Sequence, residues 1–191
     1  MKRYRDLVAD LLGDVKEWMP WELAERMERD RRLLVVDVRE ADEFTAMHIP
    51  GAINAPRGIL EAAAEWEYEE TIPELAAARD REVVVVCRSG NRSVLAAHTL
   101  RLLGFHHAAS LKLGVRGWKD DDQPLVDGEG RVVDPEEADR YFTPRLRPDQ
   151  YAPRPSNVCR LPRPRRCTGV PPLHHRVPRP IPVCPTCCPG G

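Results

Sequence analysis

Long apolar stretches are missing from this chain of 191 residues. No run approaches the roughly 18 uninterrupted apolar residues that a membrane-spanning helix needs, so the sequence predicts no membrane span and no membrane partner. The first residues, MKRYRDLVADLLGDV, are basic, but Asp10 and Asp14 interrupt their apolar run, which makes them a poor signal peptide. A cytoplasmic protein is therefore expected.

Cysteine and acidic residues are each scarce in one part of the chain. Of the six cysteines only Cys87 precedes Cys159, and residues 152–191 contain seven Arg but no Asp, Glu or Lys. Because that tail contributes +7 to a formal net charge of −1, residues 1–151 carry a net charge of −8. An acidic body argues against nucleic acid as a partner. In a reducing cytoplasm, Cys87 would stay a free thiol.

The tail is expected to be disordered and free of metal. Of 19 prolines, 13 lie at or after Pro144, and too little apolar surface remains there to offset chain entropy. The segment CPTC has the Cys-x2-Cys spacing of zinc ligands, but the other tail cysteines and His174 and His175 do not repeat it. We expect no metal site and no cofactor, and a flexible basic extension is the simpler interpretation.

The body predicts an α/β fold. LLVVDVR at 33–39 and VVVVC at 83–87 are the short apolar runs of strands buried on both faces, and AASLKLG at 108–114 adds a third strand. Helical patterns alternate with them, which favours a mainly parallel central sheet flanked by helices.

The two ends of this body do not follow the alternation of strands and helices. Residues 3–18 predict one amphipathic helix with Leu7, Leu11, Val15 and Trp18 on one stripe, and the chain from Gly114 is expected to leave through loop and turn. The predicted organisation is an N-terminal helix at 1–17, a domain at 18–130 and the tail at 131–191.

The loop CRSGNR joins the second strand to the next helix and begins with Cys87. Ligands bind at the carboxyl ends of parallel strands, and a helix N-terminus there favours anions. Gly90 permits a tight turn with amide N–H groups pointing inward, and the remaining loop residues add cations, hydroxyls and an amide. The predicted binding residues are Arg88, Ser89, Gly90, Asn91, Arg92 and Ser93. These features favour a nucleophilic thiolate, although a small buried thiol at a strand end is the alternative.

Three segments in order resemble the rhodanese-like domain family of single-domain sulfurtransferases. LLVVDVREADEFTAMHIPGAINAP resembles the family's opening strand and the segment after it, with an Asp-Val-Arg, an acidic-aromatic pair and a His-Ile-Pro-Gly-Ala. CRSGNRS resembles its active-site loop, and GFHHAASLKLGVRGWKDDDQPL its closing segment. The resemblance covers about residues 18–126 and implies a three-layer rhodanese-like fold.

The resemblance also implies sulfur transfer. Cys87 would take sulfur from a sulfane donor such as thiosulfate, hold it as a persulfide, and give it to cyanide, a thiol or an acceptor protein. A carrier or binding module that does not turn over small donors is the alternative. Phosphatase or arsenate reductase activity ranks lower, since four residues separate Cys87 from Arg92 where related phosphatases have five. The thiols of Cys184–Cys188 are a further candidate acceptor.

Asp37 and Arg39, on the strand beside the loop's strand, are candidate supporting residues for the site. Asp37 and Arg39 end the first strand and could brace the site, but a structural ion pair or turn hydrogen bond is the more ordinary role for both. His48 could act as a base toward the thiol, yet its place before Pro50 favours a structural role.

Overall fold

The computed structural model describes residues 1–152. Tail predictions about Cys159, Cys167, Cys184, Cys187, Cys188, His174 and His175 lie outside the described residues. Residues Met1–Arg145 form one compact unit. Beyond it, the described chain contains a 3-10 turn at Pro148–Gln150. None of the helices within residues 1–152 combines the length and the apolar character needed to cross a membrane.

Five strands of the described chain form one sheet in which every pairing is parallel. In chain order they are β1 (Lys16–Trp18), β2 (Leu34–Asp37), β3 (Ile53–Asn54), β4 (Val83–Val86) and β5 (Ala108–Leu111), arranged as β1-β5-β4-β2-β3. The α/β class with a parallel central sheet is confirmed. Strand β4, which leads into the CRSGNR loop, lies at the centre, and this places the loop at the middle of the sheet's carboxyl edge.

Helices cover both faces of this sheet. They are α1 (Tyr4–Leu11), α2 (Pro20–Arg29), α3 (Ala41–Ala46), α4 (Leu60–Ala63), α5 (Pro73–Ala76), α6 (Asn91–Leu102), α7 (Gly114–Asp120) and α8 (Pro135–Phe142). Side chains alternate along β4, so Val83 and Val85 pack into one core cluster and Val84 and Val86 into the other. The first cluster also contains residues of α1, α4, α5 and α6, and the second contains residues of α2, α7 and α8. This is a three-layer arrangement.

The helix predicted over residues 3–18 was wrong beyond Leu11. Its last three residues form β1, whose Lys16–Trp18 pair with β5 at the sheet edge. The buried face of α1 also differs from the predicted stripe: Val8 is buried and Leu11 partly buried, whereas Leu7 is exposed. An apolar pattern in one segment cannot reveal a partner strand 90 residues away, and the tertiary pairing overrides it here.

The closing part of the domain is more ordered than expected. Residues from Gly114 form helix α7 instead of a loop, and α8 lies within the range assigned to the tail. Asp134 caps α8 by accepting hydrogen bonds from the amides of Glu136 and Glu137, and Pro135 occupies its first turn. Ala138 and Phe142 are buried in the second core cluster, which holds α8 against the domain.

Candidate active site

The catalytic-loop candidate follows the central strand directly. Cys87 comes after the last residue of β4, and α6 begins four residues later at Asn91. Gly90 makes the turn with φ at +93°, and a Cβ atom there would lie 3.0 Å from the backbone nitrogen of Leu113. Both the backbone angle and the close neighbour therefore require glycine at this position.

We call Cys87, Gly90, Ser93 and Ser110 the floor of the site. The backbone N–H of Gly90 donates to Cys87 Sγ at 3.2 Å, and that of Ser93 donates at 3.3 Å. Ser93 Oγ lies 3.5 Å from the sulfur, donates to the Gly90 carbonyl at 2.8 Å, and lies 2.9 Å from Ser110 Oγ. Two amide donors at the N-terminus of a 12-residue helix favour negative charge on the sulfur.

Gly114 lies just after β5, the strand beside β4, and packs against the loop that carries Cys87. A Cβ atom on Gly114 would lie 2.2 Å from the Cys87 carbonyl oxygen and 2.6 Å from the Ser89 nitrogen. Its φ is +62°, and the next amide, that of Val115, donates to the Cys87 carbonyl at 2.8 Å. The start of α7 therefore packs backbone to backbone against the loop that carries Cys87.

Arg92 does not point its guanidinium at the sulfur. It forms a bidentate ion pair with Glu43 of α3, with Nη1 and Nη2 at 3.0 and 3.2 Å from the two carboxylate oxygens. Burial alone lowers the pKa of Arg92, but the hydrogen bonds and charge of Glu43 outweigh it and raise that pKa above its ordinary value. The pKa of Glu43 changes in the opposite direction. Burial raises the pKa of its carboxyl, but the bonds from Arg92 outweigh burial and lower the pKa below its ordinary value.

Arg88 is held by the end of α8. Its Nη2 donates to the carbonyls of Tyr141 at 3.3 Å and Phe142 at 3.0 Å, and its guanidinium lies 5.7 and 5.2 Å from the centres of their rings. A cation at the last carbonyls of a helix is favoured by the helix dipole. Within residues 1–152, Arg88 forms no ion pair with a carboxylate.

A cavity of about 430 Å³ opens over the loop. Its lining residues come from α1, the segment before α4, the loop and α6: Tyr4, Arg57, Arg88, Ser89, Arg92 and Leu95. We call Tyr4, Arg88 and Arg92 the rim of the site. Ser89 is exposed in the wall, whereas Asn91 is exposed at the first position of α6 and outside the lining. Cys87 is 1% exposed and is not part of the wall, so only a narrow group could reach its sulfur.

Asp37 and Arg39 form a buried ion pair next to the site. The Asp37 carboxylate accepts from the backbone nitrogen, Nε and Nη2 of Arg39, and Nη2 also donates to the Met47 carbonyl. Both side chains are completely buried, and neither contacts Cys87. The pair fixes the turn that leads from β2 into α3, which carries Glu43, so any support it gives the site passes through that turn.

His48 lies in a separate structural arrangement. Its ring stacks on Phe44 with the centres 3.8 Å apart, and Nδ1 lies 2.9 Å from the Phe44 carbonyl oxygen. Its backbone exchanges hydrogen bonds with Val126. The ring is therefore held away from the thiol.

Several residues at the site were not identified from the sequence. Ser110 is a polar residue inside the apolar run of β5, a signal that could have been followed. Glu43 belongs to the acidic-aromatic pair of the resemblance, so its presence was noted but not its partner Arg92. The segment around Tyr4 gives no such signal, because only the packing of α1 on α6 brings this side chain to the cavity.

The chain is similar to several known proteins over its central part. The family model described as Rhodanese-like domain matches residues 19–121. YtwF of Bacillus subtilis, provisionally named a sulfurtransferase, is 31% identical over 111 residues, which are 58% of this chain and 97% of that protein. YrkF of the same organism, provisionally named a sulfur carrier, is 33% identical over 94 residues, 49% of this chain. The match spans only 45% of YrkF, less than two thirds of its length.

Solved structures share the fold at lower identity. A protein of unknown function from Rhodopseudomonas palustris, described as a possible tyrosine phosphatase, superposes with a TM-score of 0.60 at 22% identity, covering 65% of this chain and 95% of that one. Thiosulfate sulfurtransferase from Pseudomonas aeruginosa superposes with a TM-score of 0.50 at 24% sequence identity. The superposition covers 67% of this chain and 24% of that one. At these identities the likeness concerns the fold alone. Since the family model covers more than half of the sequence, this chain belongs to the rhodanese-like domain family.

Proposed function

We propose that this protein is a sulfurtransferase that moves sulfane sulfur from a donor such as thiosulfate to a thiophilic acceptor through a persulfide on Cys87. The observation that carries the proposal is the pair of amide N–H groups aimed at Cys87 Sγ by Gly90 and Ser93. These donors stabilise a sulfur anion whether it is the thiolate or the terminal atom of a persulfide.

In the first step, the Cys87 thiolate attacks the outer sulfur of the donor. A bond forms between the two sulfurs, the sulfur–sulfur bond of thiosulfate breaks, and sulfite leaves with the electron pair. Because Cys87 is almost fully buried, the terminal sulfur of an anionic donor is well shaped to reach it while the charged end stays in the cavity with Arg88.

In the second step, an acceptor nucleophile such as cyanide or a thiolate attacks the outer sulfur of the persulfide. The new bond takes that sulfur away, and the electron pair returns to Cys87 as the thiolate. No oxidant or reductant is consumed, and the cycle needs Cys87 reduced, which fits a reducing cytoplasm.

Phosphate chemistry fits these contacts less well. Arg92 is the loop residue that would have to surround a phosphate, and its guanidinium is bound to both oxygens of Glu43. Steady release of phosphate from an aryl phosphate, abolished in Cys87→Ser, would reverse this ranking.

A sulfur carrier that serves a partner protein is the second candidate. The burial of Cys87 favours it, because a partner's extended segment could deliver or collect sulfur where bulky reagents cannot enter. The catalytic unit that we propose in either case extends past residues 18–130, since α1 supplies Tyr4 of the rim and the end of α8 holds Arg88.

Intact-mass measurement after incubation with thiosulfate tests the first candidate. We expect the gain of one sulfur atom, its absence in Cys87→Ser, and its removal by cyanide with release of thiocyanate. An adduct that cyanide removes only in the presence of a partner protein would favour the carrier. No adduct on Cys87 with any sulfane donor would rule out the first candidate.

A further inference from the structure

The cavity over the loop is less positive than its three arginines suggest. Arg92 is paired with Glu43, and Arg57 is paired with Glu61 at 2.8 Å. Within the described residues, Arg88 is the only guanidinium of the lining that has no carboxylate partner. An anionic donor at this mouth therefore meets one uncompensated cation, and a neutral hydrogen-bond donor nearby would add to its binding.

Tyr4 is placed to be that donor. The helix α1 packs against α6, with Val8 and Leu11 turned toward the core, and Tyr4 lies on the same face because residues four and seven apart share one side of a helix. This puts the Tyr4 ring in the lining of the cavity beside Arg92 and Leu95. Residue 4 lies before the family match, which begins at residue 19.

The Tyr4 phenol is protonated at neutral pH and is free to bind a ligand in the cavity. Partial burial raises the pKa of Tyr4, and negative charge on Cys87 raises it further, while Arg92 opposes the shift. The phenol is therefore neutral at pH 7 and keeps its proton. The hydroxyl forms no hydrogen bond with any other residue of the described chain, and the side chain belongs to a residue that is 50% exposed.

We propose that Tyr4 is a substrate-binding residue whose hydroxyl donates a hydrogen bond to the anionic end of the sulfur donor. This deepens the proposed function and rests on it for the identity of the donor. Tyr4 holds the sulfonate-like group at the mouth while the terminal sulfur reaches Cys87. It selects anionic donors over neutral ones, and Arg88 supplies the charge on the same side of the cavity.

Alkylation of Cys87 tests this binding role without depending on sulfur transfer. Iodoacetate carries its anionic group one bond from the attacked atom, as thiosulfate does, whereas iodoacetamide is neutral and of similar size. The full-length protein is labelled with each reagent, and modification of Cys87 is followed by mass spectrometry of the tryptic peptide EVVVVCR, which excludes the tail cysteines.

Tyr4→Phe should lower the ratio of the iodoacetate rate to the iodoacetamide rate about fivefold, the loss expected for one hydrogen bond to a charged group at a half-exposed position. The iodoacetamide rate itself should stay unchanged, which shows that the floor of the site is intact. Tyr68→Phe is the matched control: it is also exposed, at 58%, but is not in the cavity lining, and its ratio should equal that of the wild type.

A wild-type ratio in Tyr4→Phe would overturn the proposal. If the ratio falls but thiosulfate leaves no persulfide on the wild type, the anion-binding role of Tyr4 stands and sulfur transfer from this donor fails. If persulfide forms, Tyr4→Phe should raise KM for thiosulfate about fivefold with kcat nearly unchanged, because the bond is present in both the ground state and the transition state.

Discussion

At the floor of the site, every group that contacts Cys87 Sγ lies within six residues of it, whereas the partners of the rim arginines lie 49 to 54 residues away. The floor is completely buried and its donors are backbone amides. The rim is partly exposed, and its geometry depends on the Glu43 carboxylate of α3 and on the last backbone carbonyls of α8. The contacts of Cys87 Sγ can therefore be formed by one strand, one turn and one helix, whereas the contacts of the rim arginines form only when distant segments have packed.

This difference separates two properties of the site under the proposed function. The floor fixes where the sulfur sits and which charge it carries, so changes there should alter the chemical step. The rim faces solvent and acts on an anionic ligand before the reaction, so changes there should alter binding and respond to salt. Variants that alter only the floor or only the rim can show whether the chemical step and ligand binding are separate.

The largest effect is expected from Gly114→Ala, which displaces the floor without changing a floor residue. Its new Cβ would lie 2.2 Å from the Cys87 carbonyl oxygen, so the loop or α7 must move. We expect a loss of about 3 kcal/mol in the free energy of unfolding. Persulfide formation should slow about 100-fold, since a displacement of an ångström or so removes the alignment of the amides with the sulfur. Denaturant unfolding and single-turnover kinetics measure the two losses.

Gly130→Ala is the matched control for backbone strain. Gly130 also has a positive φ, +78°, but a Cβ atom there meets nothing within 4 Å. It should lose some stability and keep the wild-type rate of persulfide formation. Equal rates in Gly114→Ala and Gly130→Ala would show that the close contact with the Cys87 carbonyl does not position the sulfur.

The sequence predicted Cys87, Gly90 and Ser93 of the floor because their mutual contacts are local, whereas Ser110 of β5 was not predicted. An apolar run, a loop with Gly90 and a helical pattern after it are enough to place Cys87 at a strand end with amides around it. The closing helix α7 was missed because Gly114 and Gly117 lower helix propensity. A Cβ on Gly114 would meet the loop backbone, a tertiary contact, and one on Gly117 would lie 2.3 Å from Leu113 Cβ one turn earlier, so close contacts require both glycines.

The rim could not be predicted in the same way. Arg92 was predicted as a binding residue, a role that stays a prediction, and nothing near it in sequence indicates the carboxylate of Glu43 that pairs with it in the folded chain. Arg88 was expected to bind substrate, a role that stays a prediction, and nothing near it in sequence indicates the carbonyls of α8. Long charged side chains take partners that the fold supplies, and the choice among distant partners is not encoded in a local pattern.

A smaller effect is expected from Arg88→Met, which changes the rim and leaves the floor in place. The carbonyls of Tyr141 and Phe142 lose their charged donor, which should cost about 1–2 kcal/mol of unfolding free energy. The cavity also loses its uncompensated guanidinium, so KM for thiosulfate should rise about tenfold while the rate of Cys87 alkylation by iodoacetamide stays the same. Steady-state kinetics and alkylation rates check this.

Arg88→Lys separates the charge from the contacts with α8. A lysine keeps the positive charge but not the planar group that spans two carbonyls and lies against the rings of Tyr141 and Phe142. KM should return toward the wild-type value, whereas stability should remain lowered. If KM and stability both return to the wild-type values in Arg88→Lys, the packing of Arg88 on α8 contributes nothing to the rim.

The smallest effect is expected from Glu43→Gln, which releases Arg92 from its ion pair. The cavity becomes more positive, so KM for thiosulfate should fall about threefold at low salt, and the change should shrink as salt is added. Glu65→Gln, which breaks the pair with Arg79 outside the cavity lining, is the control and should leave KM unchanged.

The stability of Glu43→Gln should depend on pH in one direction. The folded-state pKa of Glu43 lies below its ordinary value of 4.5, since the bonds from Arg92 outweigh the effect of burial. The ion pair therefore contributes its full stability above pH 4.5 and loses it as pH falls through the lowered pKa. Denaturant unfolding should show the wild type as more stable than Glu43→Gln at pH 6, with a smaller difference at a pH below 4.5. A constant difference between those pH values would mean that Glu43 stabilises the rim by packing alone, and the salt-dependent fall in KM should then also be absent.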